Sequence, residues 1–102
     1  MATTTSKVLF RGAATTTLTT TLYTVPSATT AVVTNIVVTN TGSSAYTFDL
    51  ALDSVKIAAT TSIAANSVAT FDMKQVLDAT KTIKGGASNT AVNFHISGVE
   101  IA

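Results

Sequence analysis

The sequence predicts an all-β fold: a small antiparallel β-sandwich or jelly-roll of seven to eight short strands. Three observations point there. Threonine, valine and isoleucine account for 39 of the 102 residues, threonine alone for 22. Such β-branched side chains fit a pleated, half-buried surface and are poor helix formers. Stretches of alternating apolar and polar residues recur along the chain, with the period of a strand that buries one face. Clusters of Gly, Pro, Ser and Asn punctuate them at a spacing of about ten residues, as in sandwiches and jelly rolls. A chain this long buries roughly two-thirds of its unfolded surface. That supplies one modest core and no deep cleft beside it.

The chain divides into an extended Thr-rich arm, residues 1–21, and a sandwich domain, residues 22–102. In the arm, Ala2 to Ser6 and Ala13 to Thr21 are low-complexity tracts that in isolation read as linker. Between them Lys7-Val8-Leu9-Phe10-Arg11 forms a short apolar strand that ends at Gly12. Leu22 to Val25 is the next strand, stopped by Pro26, which cannot donate to a ladder.

Ala31 to Thr41 is apolar on both parities, with Val33 and Val37 on one and Val32, Ile36 and Val38 on the other. That is the pattern of a central strand covered on both sides, or of one whose outer face a partner covers. After the Gly42-Ser43-Ser44 turn, Tyr46, Phe48, Leu50 and Leu52 alternate with Thr47, Asp49, Ala51 and Asp53 to complete a hairpin. Ser54 to Ala58 reads as a short edge strand, and residues 59–67 as a loop or extended crossing. Val68 to Lys74 alternates again around Phe71 and Met73. Met73 to Ala79 is the sole helical candidate. Thr80 to Lys84 forms a lysine-protected edge strand ending at a Gly85-Gly86 turn. In the last strand Val92, Phe94 and Ile96 point inward, then the phase shifts at Gly98 to Val99 and Ile101, as at a β-bulge. The core assembled this way is Val33, Ile36, Val38, Phe48, Leu50, Leu52, Phe71, Met73, Phe94 and Ile96.

Composition excludes several classes of function. A net charge of +1 with six scattered Lys and Arg leaves no electrostatic footprint for nucleic acid. Without cysteine there is no disulfide framework, thiolate nucleophile or Cys-ligated zinc. No apolar run reaches the length of a membrane span, and Met1 to Ser6 is too polar for a signal sequence.

Catalytic constellations are equally absent. His95, between Phe94 and Ile96, has no acid at a recognisable spacing to orient it, and reads as a sheet-face or interface residue. Asp49 and Asp53 share a strand face about 13 Å apart, wider than a glycosidase carboxylate pair, and read as solvated. Lys81 to Gly86 lacks phosphate-loop spacing, and Asp72 with Asp78 lacks the alternating ligands of a calcium loop. No asparagine carries a glycosylation signal. No catalytic, cofactor-binding or metal-binding residue is therefore nominated, and the chain is expected not to be an enzyme. With 11% charged residues, it must expose Thr, Ser, Ala and Asn over most of its surface. Near-zero net charge favours self-association.

Leu22-Tyr23-Thr24-Val25-Pro26, Ile36 to Gly42 with the alternating strand after it, Ile63-Ala64-Ala65-Asn66, and Phe94-His95-Ile96-Ser97-Gly98-Val99-Glu100-Ile101 occur in that order. Together, over about residues 18–101, they resemble a family of small, decoration-like virion structural proteins of tailed bacteriophages. Residues 53–62 depart from that pattern, being shorter and more polar. The resemblance implies a non-catalytic β-sandwich in the virion, without cofactor or membrane. Its first posting is the capsid exterior, as a decoration (cement) protein binding between subunits of the major capsid protein. A tail, neck or fibre-associated component is the second reading, and a carbohydrate-binding module, with only Tyr23 and Tyr46 to offer a sugar, the third. A homo-oligomer is expected, with a trimer as the favoured count. Lys7, Val8, Leu9, Phe10 and Arg11 are the expected assembly interface: the arm adds as a strand to a neighbouring chain's sheet, or alternatively pairs within its own.

Overall fold

The computed structural model describes residues 3–102. They form eight strands: β1 (Thr4–Ala13), β2 (Thr20–Thr24), β3 (Thr30–Asn40), β4 (Tyr46–Leu52), β5 (Val55–Ile63), β6 (Ser67–Leu77), β7 (Thr82–Ala87) and β8 (Val92–Ile101). One sheet has the order β1-β8-β3-β6 and the other β2-β7-β4-β5, and every pairing is antiparallel. First pairs with last, second with seventh, third with sixth and fourth with fifth. The chain is thus one long hairpin rolled into two layers, which is the wiring of a jelly roll. The hairpin folds back at Asp53-Ser54, both left-handed at φ 53° and 61°, between paired Leu52 and Val55. Two such residues make the type I′ turn whose twist suits flanking strands.

The core lies between the layers. Val33, Ile36, Val38, Phe48, Leu50, Phe94 and Ile96 are fully buried, Leu52 nearly so, and Phe48 meets Phe71 and Phe94 edge-on with ring centroids 6.2 Å apart in each case. Phe71 and Met73 pack on this core only in part, because β6 is an edge strand. The two-sided pattern of β3 has a local cause. Thr34 is an extra residue between Val33, paired with Gly98, and Asn35, paired with Ser97. Ala31 and Val33 therefore share the inner face with Ile36 and Val38, across a change of parity. One further side chain is buried by design of the β3–β4 turn: Asn40 donates to the carbonyls of Ser44 (2.8 Å) and Ile63 (3.1 Å) and accepts from Gly42 N–H (2.9 Å).

Several expectations need correction. Strand β8 keeps its phase through Gly98, so Glu100 rather than Val99 or Ile101 lies on the inner side; the bulges sit in its neighbours, at Leu9 and Thr34. Met73 to Leu77 is strand, not helix, because its backbone pairs with β3. Of the loop or extended crossing expected over residues 59–67, 59–63 take the extended form as the end of β5, and only 64–66 lie between strands. Gly85-Gly86 is no turn: both lie inside β7, a central strand between β2 and β4 rather than an edge. A Cβ on Gly86 would lie 2.2 Å from the Thr17 carbonyl oxygen, and one on Gly85 would lie 2.5 Å from that of Asp49. Glycine is needed there for close backbone approach, not for a bend. The Thr-rich tract after β1 is the segment that approaches: Ala14 is buried, and Ala87 N–H donates to Thr15 O at 2.9 Å.

Candidate assembly surface

The five residues expected at an assembly interface all fall on β1, which pairs along its own β8 from Thr4 to Ala13 and leaves its other edge free. The arm is a strand of its own sheet, and the boundary expected at residues 21/22 falls within β2; residues 1–2 of the arm lie outside the described residues. Within the chain β1 finds both a ladder and a core to fill. Leu9 is buried in that core and Phe10 packs against it. Lys7 Nζ sits 3.3 Å from Glu100. Val8 and Arg11 remain exposed on the outer face.

Glu100 also accepts a hydrogen bond from the Tyr23 hydroxyl, which joins β2 of one layer to β8 and β1 of the other. That bond first, and the Lys7 ammonium after it, hold the Glu100 carboxyl below the ordinary range against the desolvation that burial imposes. Burial, then the bond to Glu100, pushes the Tyr23 phenol above its ordinary value. Nothing in the sequence signals this cluster, since its members are far apart in the chain.

Residues paired across a sheet share a face, so register fixes what the first sheet presents outward. Its outer rows are Thr4–Ile101–Thr30, Ser6–Val99–Val32–Val76, Val8–Ser97–Asn35–Asp72, Arg11–His95–Val37–Thr70 and Ala13–Asn93–Thr39–Val68. Val8, Val68 and Val76 are 46%, 61% and 62% exposed. Val32, Val37, Val99 and Ile101 are half-buried between them. The bulges at Leu9, Thr34 and Met73-Lys74 fall on one line across this sheet. Two shallow depressions, of about 420 and about 430 Å³, follow that line and meet at Thr34. His95 sits on this face between Arg11 and Val37, with no carboxylate in its row.

The second sheet differs outside. The backbone of Thr17 and Leu18 crosses over Gly86 and covers part of it. Beside that crossing, Asp49 is not solvated as expected: its side chain is 5% exposed, with Lys56 Nζ at 2.8 Å and Thr60 N–H at 2.9 Å. The lysine first and the amide second hold its carboxyl below the ordinary value, outweighing desolvation. Thr60 is a β-branched residue at φ 46°, in a bulge of β5 that the Asp49 carboxylate secures. Asp53 instead faces Lys81 at 3.8 Å. The cleft beside Asp49, about 140 Å³ and edged by Lys84 and Leu18, is below the size of an ordinary small-molecule site. Among the described residues no three His, Asp or Glu side chains converge as metal ligands, and no helix is long and apolar enough to cross a membrane.

No family model and no curated protein matches the chain. Among solved structures it is similar to two crystal structures of a pentameric capsid protein isolated from metagenomic phage sequences. One is 16% identical with a TM-score of 0.35, covering 97% of this chain and 59% of that one. The other, solved by iodide SAD phasing, is 17% identical with a TM-score of 0.39, covering 97% of this chain and 60% of that one. The chain spans about three-fifths of the length of each.

Proposed function

We propose that this protein is a non-enzymatic structural component of a tailed-phage virion, working on the capsid exterior as a decoration (cement) protein that binds between major capsid subunits. The observation that carries the structural, self-assembling part of the reading is the first sheet's outer face, where aliphatic side chains stand in rows with no described element of the chain over them. The segments of residues 22–101 that resemble the phage family are strands and turns of the jelly roll, so the resemblance concerns the scaffold that displays this face. The carbohydrate-binding alternative loses its platform: Tyr23 is tied to Glu100, and Tyr46 packs against the core.

The protein acts with copies of itself, in units expected to be trimers, and native mass spectrometry measures that count directly. Quantitative mass spectrometry of purified particles tests the posting. Hundreds of copies per particle, and shells that lose heat resistance when the protein is omitted and regain it on addition, are the expected result. A few tens of copies or fewer would move the protein to the tail, neck or fibre.

A further inference from the structure

We propose that two copies of this chain stack face to face through the outer surface of the first sheet, about a two-fold axis parallel to the strands. The contact buries the Ser6–Val99–Val32–Val76 row and its neighbours and brings Arg11 of each copy to Asp72 of the other. This deepens the self-assembly part of the reading above and names its surface.

Edges are poor candidates for association. Every edge strand carries a bulge: β1 at Leu9, β2 at Leu22, β5 at Ile57 and again at Ala59-Thr60, and β6 at Met73-Lys74. Bulges twist an edge away from a regular ladder and protect it from strand addition. Faces remain, and the two faces are unlike. The second sheet is partly covered by its own Thr17-Leu18 backbone and presents Asp49, Lys56 and Lys84 around small residues. The first presents seven Val and Ile side chains and few charges.

Size fits a specific contact. Four strands about 4.8 Å apart and about ten residues long give a face of roughly 35 by 19 Å, about 650 Å² per copy. A pair then buries about 1,300 Å², within the range of stable interfaces. Sheets stacked in this way interdigitate at about 10 Å with strands nearly aligned.

Charge selects a second copy as the occupant. The middle of the face, on β8 and β3, mixes Val and Ile with Ser, Thr, Asn and His95 and carries no Asp, Glu, Lys or Arg, while Arg11 on β1 and Asp72 on β6 put opposite charges on its two margins. A two-fold axis along the strands lays β1 over β6 of the other copy and β8 over β3. Arg11 then stands one row, about 7 Å along the strand, from Asp72 of the second copy, within reach of its long side chain. Lys74, in the β6 bulge, is the one charge on that margin that opposes the pairing. The contact is isologous, so alone it makes a dimer, and in a trimeric protein it would join two trimers.

Sedimentation velocity and light scattering on the purified protein test this without any phage particle, so failure here leaves the virion posting standing. Even-numbered assemblies are expected. Val68→Lys with Val76→Lys should weaken the dimer at least tenfold, whereas Val55→Lys, 68% exposed on β5 outside this face, should leave it unchanged. Arg11→Asp and Asp72→Arg should each weaken it, and the double exchange should restore it. All five positions are exposed, and unchanged melting of each variant verifies the fold. A monomer at high micromolar concentration, a lone trimer, dissociation by Val55→Lys, or failure of the charge exchange to rescue would each overturn the proposal. So would a monomer that binds shells through this face, because the occupant would then be the capsid.

Discussion

Gly86→Ala should be among the most damaging small substitutions in this protein, although it adds one methyl group in a strand that would ordinarily welcome it. The new Cβ would sit 2.2 Å from the Thr17 carbonyl oxygen, 2.8 Å from the carbonyl carbon and 2.9 Å from Leu18 Cα, all backbone atoms. Real Cβ contacts stay beyond 3.0 Å, so the segment must retreat by close to an ångström. That segment is anchored by Ala87 N–H to Thr15 O and Thr20 N–H to Thr17 O, and moving it strains both. Overpacking costs about 1–3 kcal/mol and one lost hydrogen bond about 1 kcal/mol more, so the sum is about 3 kcal/mol. For a domain of this size that lowers Tm by about 12–24 °C. Gly12→Ala is the control. Its Cβ would meet only the Phe10 ring, at 3.6 Å, and strand glycine is entropically costly, so this variant should gain about 0.4–1 kcal/mol. Thermal unfolding by circular dichroism, with urea titration for ΔG, reads both. If Gly86→Ala melted with the parent, the Thr17-Leu18 backbone would not lie over β7, and the reading of the glycine pair as a close-approach site would fail.

Phe48→Ala removes the ring that both Phe71 and Phe94 contact edge-on, and should cost about 3–5 kcal/mol in urea unfolding; parental stability would show the core to be centred elsewhere. Ser54→Gly relieves a left-handed serine in the β4–β5 turn and should raise Tm by about 4–8 °C, from about 1 kcal/mol of relieved strain, whereas a fall in Tm would contradict the type I′ geometry. Asp49 and Glu100 have folded pKa values below their unfolded ones, so the stability they confer is present above the unfolded carboxylate range and is lost as pH falls through the folded values. Tyr23 is shifted upward, so its contribution is present below the unfolded phenol value, about 10, and is lost at higher pH. A Tm-against-pH curve should therefore be flat between about pH 5 and 9 and fall on both sides. Glu100→Gln should flatten part of each limb, and an unaltered curve would remove the Tyr23–Glu100–Lys7 cluster from the account.

Strand existence was legible because alternation and β-branching act locally, and β3, β4 and the start of β8 need nothing else. Phase was less so. Whether a parity change belongs to the strand that shows it or to its neighbour depends on register, which no single segment contains. At Gly98 the sequence displays a phase shift from Ile96 to Val99, yet the extra residues are Leu9 and Thr34 on either side of it. The glycine pair in β7 misleads for a related reason. Glycine serves turns and close approach alike, and only the position of Thr17 distinguishes them. Asp49 looked solvated because its alternation is regular; its burial comes from Lys56 and Thr60, which the β4–β5 hairpin folds back onto it.

The proposed assembly surface was half-visible for a physical reason that applies to similar proteins as well. In Ala31 to Thr41 the apolar residues exceed what one buried face requires, and two causes add together. The Thr34 bulge explains why Val33 and Ile36 both point inward despite opposite parity. It does not explain Val32 and Val37, which face outward and lie in rows with Val76, Val99 and His95. A core-facing valine and a partner-facing valine satisfy the same pattern, because burial by the chain's own second layer and burial by another molecule impose the same chemistry. Subtracting the bulge leaves the second set. Its continuation onto β8 and β6 turns an ambiguous strand pattern into a defined face, and the opposite charges on that face's two margins give it a direction.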